Sequence, residues 1–391
     1  MTGNIPYVDR LRQQLLDAEG RQPAPARVSW MTMRAGRLLV AVLLLVGVAV
    51  PLFALRGLGS RSAPQTGSGA SSGNPPITRQ LVVTTTKLQP GILPLTVAFG
   101  DVWGVRVGDA NSIPPAGLIR LDGTTGAVKA TIPINTVNRL EEHAAVTAAG
   151  GLIWVSEGRG DGPQTISAVD PRTNGVVGTV SVPGPIEGLA AADGNLWASI
   201  VSSGSGGTLV EIDPASDRVV NTVTVAEAGS LSVAGNSLWI HSNEYGGTSL
   251  QVNLATDAPG MKLEGTIGDV MFAGGLYWSI FTDWSSPDAA TIRAIDPATG
   301  KTVATLPAPR AVDLAVSSAG LWVSSAPGYL PGSSIDPNVP ATVSLIDPAT
   351  QTLVAGPVLM NNGGPGLAAG EDALWFADYE TGDVTKVTLQ P

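Results

Sequence analysis

Two histidines, His143 and His241, and no cysteine stand among the 391 residues. Thiolate nucleophiles and cysteine-held metals are therefore excluded. An imidazole titrates near neutrality and can act as a general base, and a neighbouring carboxylate could orient it or hold a divalent metal. His143 follows Glu141 and Glu142 in RLEEHAAV, and His241 lies in LWIHSNEY. The candidate residues for such a set are His143 or His241 with Glu157 or Glu187, and Arg310 belongs to the same end of the chain's repeat units; their spacing does not by itself bring them together. Read otherwise, each of these is a solvated loop residue. No Gly-x-Ser-x-Gly turn joins a strand to a helix, so Ser-His-Asp chemistry has no nucleophile elbow. No Gly-x-Gly-x-x-Gly run opens a helix, which leaves the 48 glycines to turns.

The elements that must position these residues are written in the tryptophans. Trp103, Trp154, Trp197, Trp239, Trp278, Trp322 and Trp375 recur at intervals between 39 and 53 residues. Each sits in a motif such as GLIWVSE or GNLWASI. Eight residues before them stand Leu95, Val146, Leu189, Leu231, Val270, Leu314 and Leu367, all aliphatic. A glycine lies two to five residues before every tryptophan, where a hairpin needs it. A period near 45 residues belongs to four-stranded propeller blades. The spacing predicts strands over 188–192, 196–201, 208–212 and 219–225 in the unit around Trp197. Each tryptophan then falls on the second strand, packed against the next blade.

A second landmark follows six of the motifs: Asp122, Asp170, Asp213, Asn253, Asp296 and Asp347, with Thr125, Thr173, Ser216, Thr256, Thr299 and Thr350 three residues on. Four of the six read Asp-Pro. Proline presets a turn, and the aspartate and threonine oxygens can cap its amides. Calcium would need six or more convergent oxygens, and these acids are spaced one per unit. They are read as turn caps, and no metal site is assigned.

These features resemble the YVTN-type and streptogramin-lyase-like propeller families, whose units carry a Gly-x-Leu-Trp-Val second strand, an Ile-Asp-Pro-x-Thr-Gly turn and a Val-x-Thr-Ile fourth strand. The resemblance covers 79–391 and implies an all-β, seven-bladed propeller. Blade 4 departs from it at Asn253-Leu254 and in a weak fourth strand. The chain ends in DVTKVTLQP, a third strand with none after it, while RQLVVTTTKLQ at 79–89 precedes the first blade as an orphan fourth strand. Pairing the two would close the ring and remove its exposed edges.

The first 78 residues read differently. Residues 38–55 (LLVAVLLLVGVAVPLFAL) carry no charge and reach the length of a short membrane span. Residues 1–37 hold six arginines against three acids, and the remainder sixteen bases against twenty-nine acids. That bias predicts a single transmembrane signal anchor with a cytoplasmic N-terminus and an extracellular propeller in a bacterial cell membrane. A cleaved signal peptide would have a shorter apolar core and a small-residue site. Residues 56–78 form a Gly/Ser/Pro-rich spacer, and 1–37 a tail with a short amphipathic helix. The opening IPYVDRLRQQLLDA resembles leaders of actinobacterial membrane proteins. A net charge of −10 argues against nucleic acid as a partner.

Strand order places the connections between strands two and three, and four and one, at one end of the ring. Both histidines belong to that end. So do the two long insertions, 105–117 and 324–340, and the aromatics Tyr245, Trp284 and Tyr329. Tyr245, Trp284, Arg310 and Tyr329 are accordingly the expected binding residues. The expected function is a membrane-anchored extracellular module that binds or senses a protein, glycan or small molecule, without cofactor. The alternatives are a metal-dependent lyase of the streptogramin-lyase type, the only case that calls for a divalent cofactor, and a structural envelope protein.

Overall fold

The computed structural model describes residues 79–88, 90–106, 116–134, 144–157, 162–202, 206–242, 247–282, 287–325, 341–360, 366–378 and 381–390. All of them fall in one compact unit, Ser72–Pro391. The anchor, tail and spacer expected over 1–78 lie outside the described residues, as do both long insertions but for their ends. No helix among the described residues is long and apolar enough to cross a membrane.

Among the described residues the chain forms seven antiparallel sheets of four strands. After β1 (Leu81–Lys87), blade 1 comprises β2 (Ile92–Ala98), β3 (Asp101–Arg106), β4 (Gly117–Asp122) and β5 (Val128–Pro133). Blade 2 follows with β6 (Val146–Ala149), β7 (Leu152–Glu157), β8 (Gln164–Asp170) and β9 (Gly175–Val182). Blade 3 holds β10 (Ile186–Ala192), β11 (Asn195–Val201), β12 (Gly207–Asp213) and β13 (Arg218–Val225). Blade 4 holds β14 (Ser230–Ala234), β15 (Ser237–His241), β16 (Thr248–Asn253) and β17 (Pro259–Glu264). Blade 5 is built of β18 (Thr266–Ala273), β19 (Leu276–Phe281), β20 (Thr291–Ile295) and β21 (Thr302–Pro307). Blade 6 is built of β22 (Ala311–Ser317), β23 (Gly320–Ser325), β24 (Ala341–Asp347) and β25 (Thr352–Met360). Blade 7 takes β26 (Leu367–Ala369), β27 (Ala373–Ala377) and β28 (Asp383–Leu389) from the end of the chain, and its fourth strand is β1. β1 pairs along β28 from Leu81–Leu389 to Lys87–Asp383, so the ring closes by strand sharing as the sequence predicts. Blade 4 also has its fourth strand, with one register shift against β16.

The first strands β2, β6, β10, β14, β18, β22 and β26 each touch the next, and β26 touches β2. They form a closed inner ring. The core is divided among seven apolar clusters, one per blade interface. Trp154 packs with Ile186 and Leu189 of blade 3, and Trp197 with Leu231 and Leu238 of blade 4. Trp375 packs with Ile92 and Val102 of blade 1. The seven repeated tryptophans are all at most 2% exposed. Trp103, Trp154 and Trp278 each donate their indole N–H to the main-chain carbonyl five residues back, at 3.2, 3.1 and 3.0 Å. That satisfies the one polar atom of a large apolar side chain and fixes the ring.

Candidate functional site

The two ends of the ring differ in how much of their polar chemistry is already used. At one end lie the turns between third and fourth strands. Asp122 Oδ1 accepts from the Thr124 and Thr125 amides and the Thr125 hydroxyl at 2.8–3.0 Å. Asp213 accepts from the Ala215 amide and Ser216 Oγ, and Asp347 from the Ala349 amide and Thr350 Oγ1. Asn253 and Asp296 likewise take the amides of Ala255 and Ala298. Hydrogen bonds to the ionised form hold the carboxyls of Asp122, Asp213 and Asp347 below their ordinary range. Four residues after each landmark, Gly126, Asn174, Asp217, Asp257, Gly300 and Gln351 have φ between 55° and 73°, the left-handed position that ends each turn.

These turns also latch onto their neighbours. Arg120 donates to the Pro171 carbonyl and Asn174 Oδ1 of the blade 2 turn. Lys386 donates to the Gly123 and Thr124 carbonyls of the blade 1 turn, and Asn221 to Asp257 of the blade 4 turn. The oxygens at this end cap and staple the ring.

The other end, where second strands pass to third and fourth to first, carries the residues expected to act. His143, Tyr245, Trp284 and Tyr329 lie outside the described residues. Glu157, at the end of β7, accepts a hydrogen bond from Ser167 Oγ. Glu187 occupies a β-bulge between Ile186 and Gly188 on the inner strand β10. Arg310 joins the fourth strand of blade 5 to the first of blade 6. It is fastened to Asp288 with Nε 2.6 Å from Oδ1, and that bond holds the Asp288 carboxyl low.

His241 is not a solvated loop residue. It ends β15, 4% exposed, on the strand face it shares with Trp239. Nε2 lies 2.7 Å from Ser232 Oγ, and Nδ1 lies 2.9 Å from Ser249 Oγ, which meets Thr266 Oγ1 at 2.8 Å. Ser232 Oγ also donates to the Val270 carbonyl and accepts from the Val270 amide. Every contact is satisfied when Nε2 carries the ring proton and Nδ1 accepts from Ser249. Burial pushes the imidazole down to about 3, so it is neutral at physiological pH. Both nitrogens are engaged by serines of blade 4, which in turn bond Val270 and Thr266 of blade 5, and this leaves neither free to take a substrate proton.

The carboxylate beside this ring is Asp269, with Oδ1 3.7 Å from His241 Nε2. Neither Glu157 nor Glu187 takes that place. Asp269 lies in a bulge of β18 between Ile267 and Met271, which re-aims its side chain. Asp313 holds the equivalent position on β22, also beside a bulge. Its Oδ2 accepts from the Gly366 and Leu367 amides of blade 7, at 3.2 and 3.1 Å, and Oδ1 from Leu314. Asp269 keeps 36% of its side-chain surface exposed. Burial first, and the charge of Asp313 second, push Asp269 up to about 8. Burial raises Asp313 as well, against the pull of its three amides. The pair therefore keeps a proton at neutral pH.

The sequence carried a signal for this pair. Nine residues before the tryptophans the column reads Pro94, Ala145, Gly188, Ser230, Asp269, Asp313 and Gly366. Two acids stand side by side in a column that is otherwise uncharged. Among the described residues no group of three His, Cys, Asp or Glu is placed to hold a metal ion.

No family model matches the chain, and no curated protein does. The fold is widely shared, since 953 chains of solved structures match, and a fold so common selects no function. One of them is the crystal structure of the RRP9 WD40 repeats, 11% identical, with a TM-score of 0.53, covering 79% of this chain and 97% of that one. At that identity the likeness shows the propeller architecture alone. The finer resemblance to YVTN-type and streptogramin-lyase-like units rests on the motifs of the sequence, and what the chain has in common with solved proteins is the propeller fold.

Proposed function

We propose that this propeller is a ligand-binding module displayed outside a bacterial cell by a membrane anchor at 38–55, and that it takes its ligand at the end where second strands pass to third. The observation that carries this reading is the contrast between the ends. At the turn end each landmark oxygen is committed to its own turn or to the neighbouring blade. That end repeats one short device and has little individuality with which to recognise anything. Strand order assigns to the opposite end the connections 107–116 and 326–340, the longest between second and third strands, and with such connections the expected aromatics Tyr245, Trp284 and Tyr329. Loops of unequal length on one face of a repeat array are where binding specificity concentrates. The arginine bias around 38–55 supports the anchor and its orientation.

The test is capture on glycan and peptide arrays by the full chain, compared with a variant in which 326–340 is replaced by a two-residue turn. The variant should lose capture while its stability stays within about 0.5 kcal/mol, as expected of a surface loop. Capture that survives this replacement but is lost on altering the Asp-Pro turns would place the ligand at the other end.

A further inference from the structure

Asp269 and Asp313 stand on neighbouring inner strands, in the half of each strand nearer the loop end. Among the described residues Asp269 accepts no hydrogen bond, and the imidazole 3.7 Å away is neutral. Arg293, whose strand neighbour is Ser279, does not reach it. Its guanidinium lies over the Phe281 ring, 4.2 Å from the centroid. A half-buried carboxyl pair with no cation beside it among the described residues is costly to ionise. Two hydroxyls there are also unsatisfied. Ser324 Oγ is buried without a partner, and Ser324 is the cross-strand neighbour of Asp313, so the two side chains share one face of the blade. Ser279 Oγ is likewise buried without a partner, opposite the bulge that carries Asp269. Buried hydroxyls normally find a hydrogen bond, and Ser324 stands directly across from one of the two acids.

We infer that the inner mouth of the ring at the loop end binds a primary ammonium group, with the carboxylates of Asp269 and Asp313 taking its charge and the Ser324 hydroxyl accepting one of its hydrogen bonds. The inference deepens the proposed function and rests on its choice of binding end. An ammonium has three donors, matched by two carboxylates and one hydroxyl. A divalent cation wants six or more oxygens, and among the described residues no group of three His, Cys, Asp or Glu is placed to hold one. A chain of net charge −10 also concentrates cations at its openings.

Calorimetric titration of the detergent-solubilised full chain with n-butylammonium chloride tests this, with n-butanol and calcium chloride as comparison probes. The amine should bind saturably and the alcohol should not. Because the amine displaces a proton from the pair, its affinity should rise about tenfold per pH unit between about pH 6 and pH 8. Asp269→Asn and Asp313→Asn should each weaken binding at least about tenfold, and Ser324→Ala about three- to tenfold. Near-UV circular dichroism of the buried tryptophans reports whether each variant folds, and the pH dependence of the native chain decides the matter if one does not. Absence of amine binding across this pH range, binding indifferent to both Asn changes, or calcium binding that excludes the amine would each overturn the inference. The choice of binding end is read separately, by the dependence of array capture on 326–340.

Discussion

A histidine whose ring nitrogens both face serine hydroxyls inside a blade interface gains nothing from a proton. His241 has a pKa pushed down to about 3 by burial, against about 6.5 in an unfolded chain. Below that ordinary value the unfolded state takes up a proton that the folded state refuses. Its contribution to stability is therefore complete above about pH 6.5 and declines as pH falls toward 3, by about 1.4 kcal/mol per unit. His241→Gln removes this dependence. Urea melts at about pH 7 and pH 5 should show the native chain losing about 2 kcal/mol more than the variant; parallel losses would mean that the ring is not held neutral. Asp269 has the opposite sign. Its folded pKa of about 8 lies above the unfolded one, so its stabilising protonated state is intact below about pH 4 and lost as pH rises toward 8. Asp269→Asn should accordingly gain on the native chain over that window when melts are compared in amine-free buffer. Much of this was open to reading in the sequence. His241 follows Trp239 by two, which puts both on one strand face, and that face was already assigned to the next blade. Its partners could not be read, because Ser232, Ser249 and Thr266 come from three different strands.

Among the elements, β1 has a role out of proportion to its seven residues. It is the fourth strand of the blade that joins the two ends of the chain. It covers β28 along its whole length and buries Leu81 in the cluster around Trp322 and Phe376. Deleting 79–89 should lower stability by several kcal/mol, roughly the loss of one paired strand and its aliphatic contacts, while deleting 57–76 should leave the melting temperature unchanged. Equal melting of the native chain and the first deletion would refute closure by strand sharing. The inner strands depend on close approach as well. A Cβ on Gly188 would stand 2.7 Å from the Leu231 amide nitrogen and 3.0 Å from Ser230 Cα on the next inner strand. Gly188→Ala should therefore destabilise the domain by about 1–3 kcal/mol, measured by denaturant melts. Hairpins and Asp-x-x-Thr turns were legible because local residues suffice to make them. The bulges on β10, β18 and β22 were not, because the crowding of seven strands around one axis sets them.

At the scale of the whole molecule, charge and hydropathy divide the chain into a basic leader, an apolar run and an acidic remainder. That order predicts the topology. A reporter at residue 2 should be cytoplasmic, and protease added to intact cells should remove the propeller. Recovery of a soluble propeller cleaved behind residue 55, or a protected C-terminus, would sink the anchor. Taken alone, the sequence determined the blade number, the register of the tryptophans, the capped turns and the shared closing strand. All of these follow from patterns of period 2 and of about 45 residues that each unit repeats. Only the tertiary structure decided which acids matter. Asp269 and Asp313 lie 44 residues apart and belong to different blades. The packing of one blade on the next sets their strands side by side, and burial at the inner ring leaves them a proton that acids on open loops would lose.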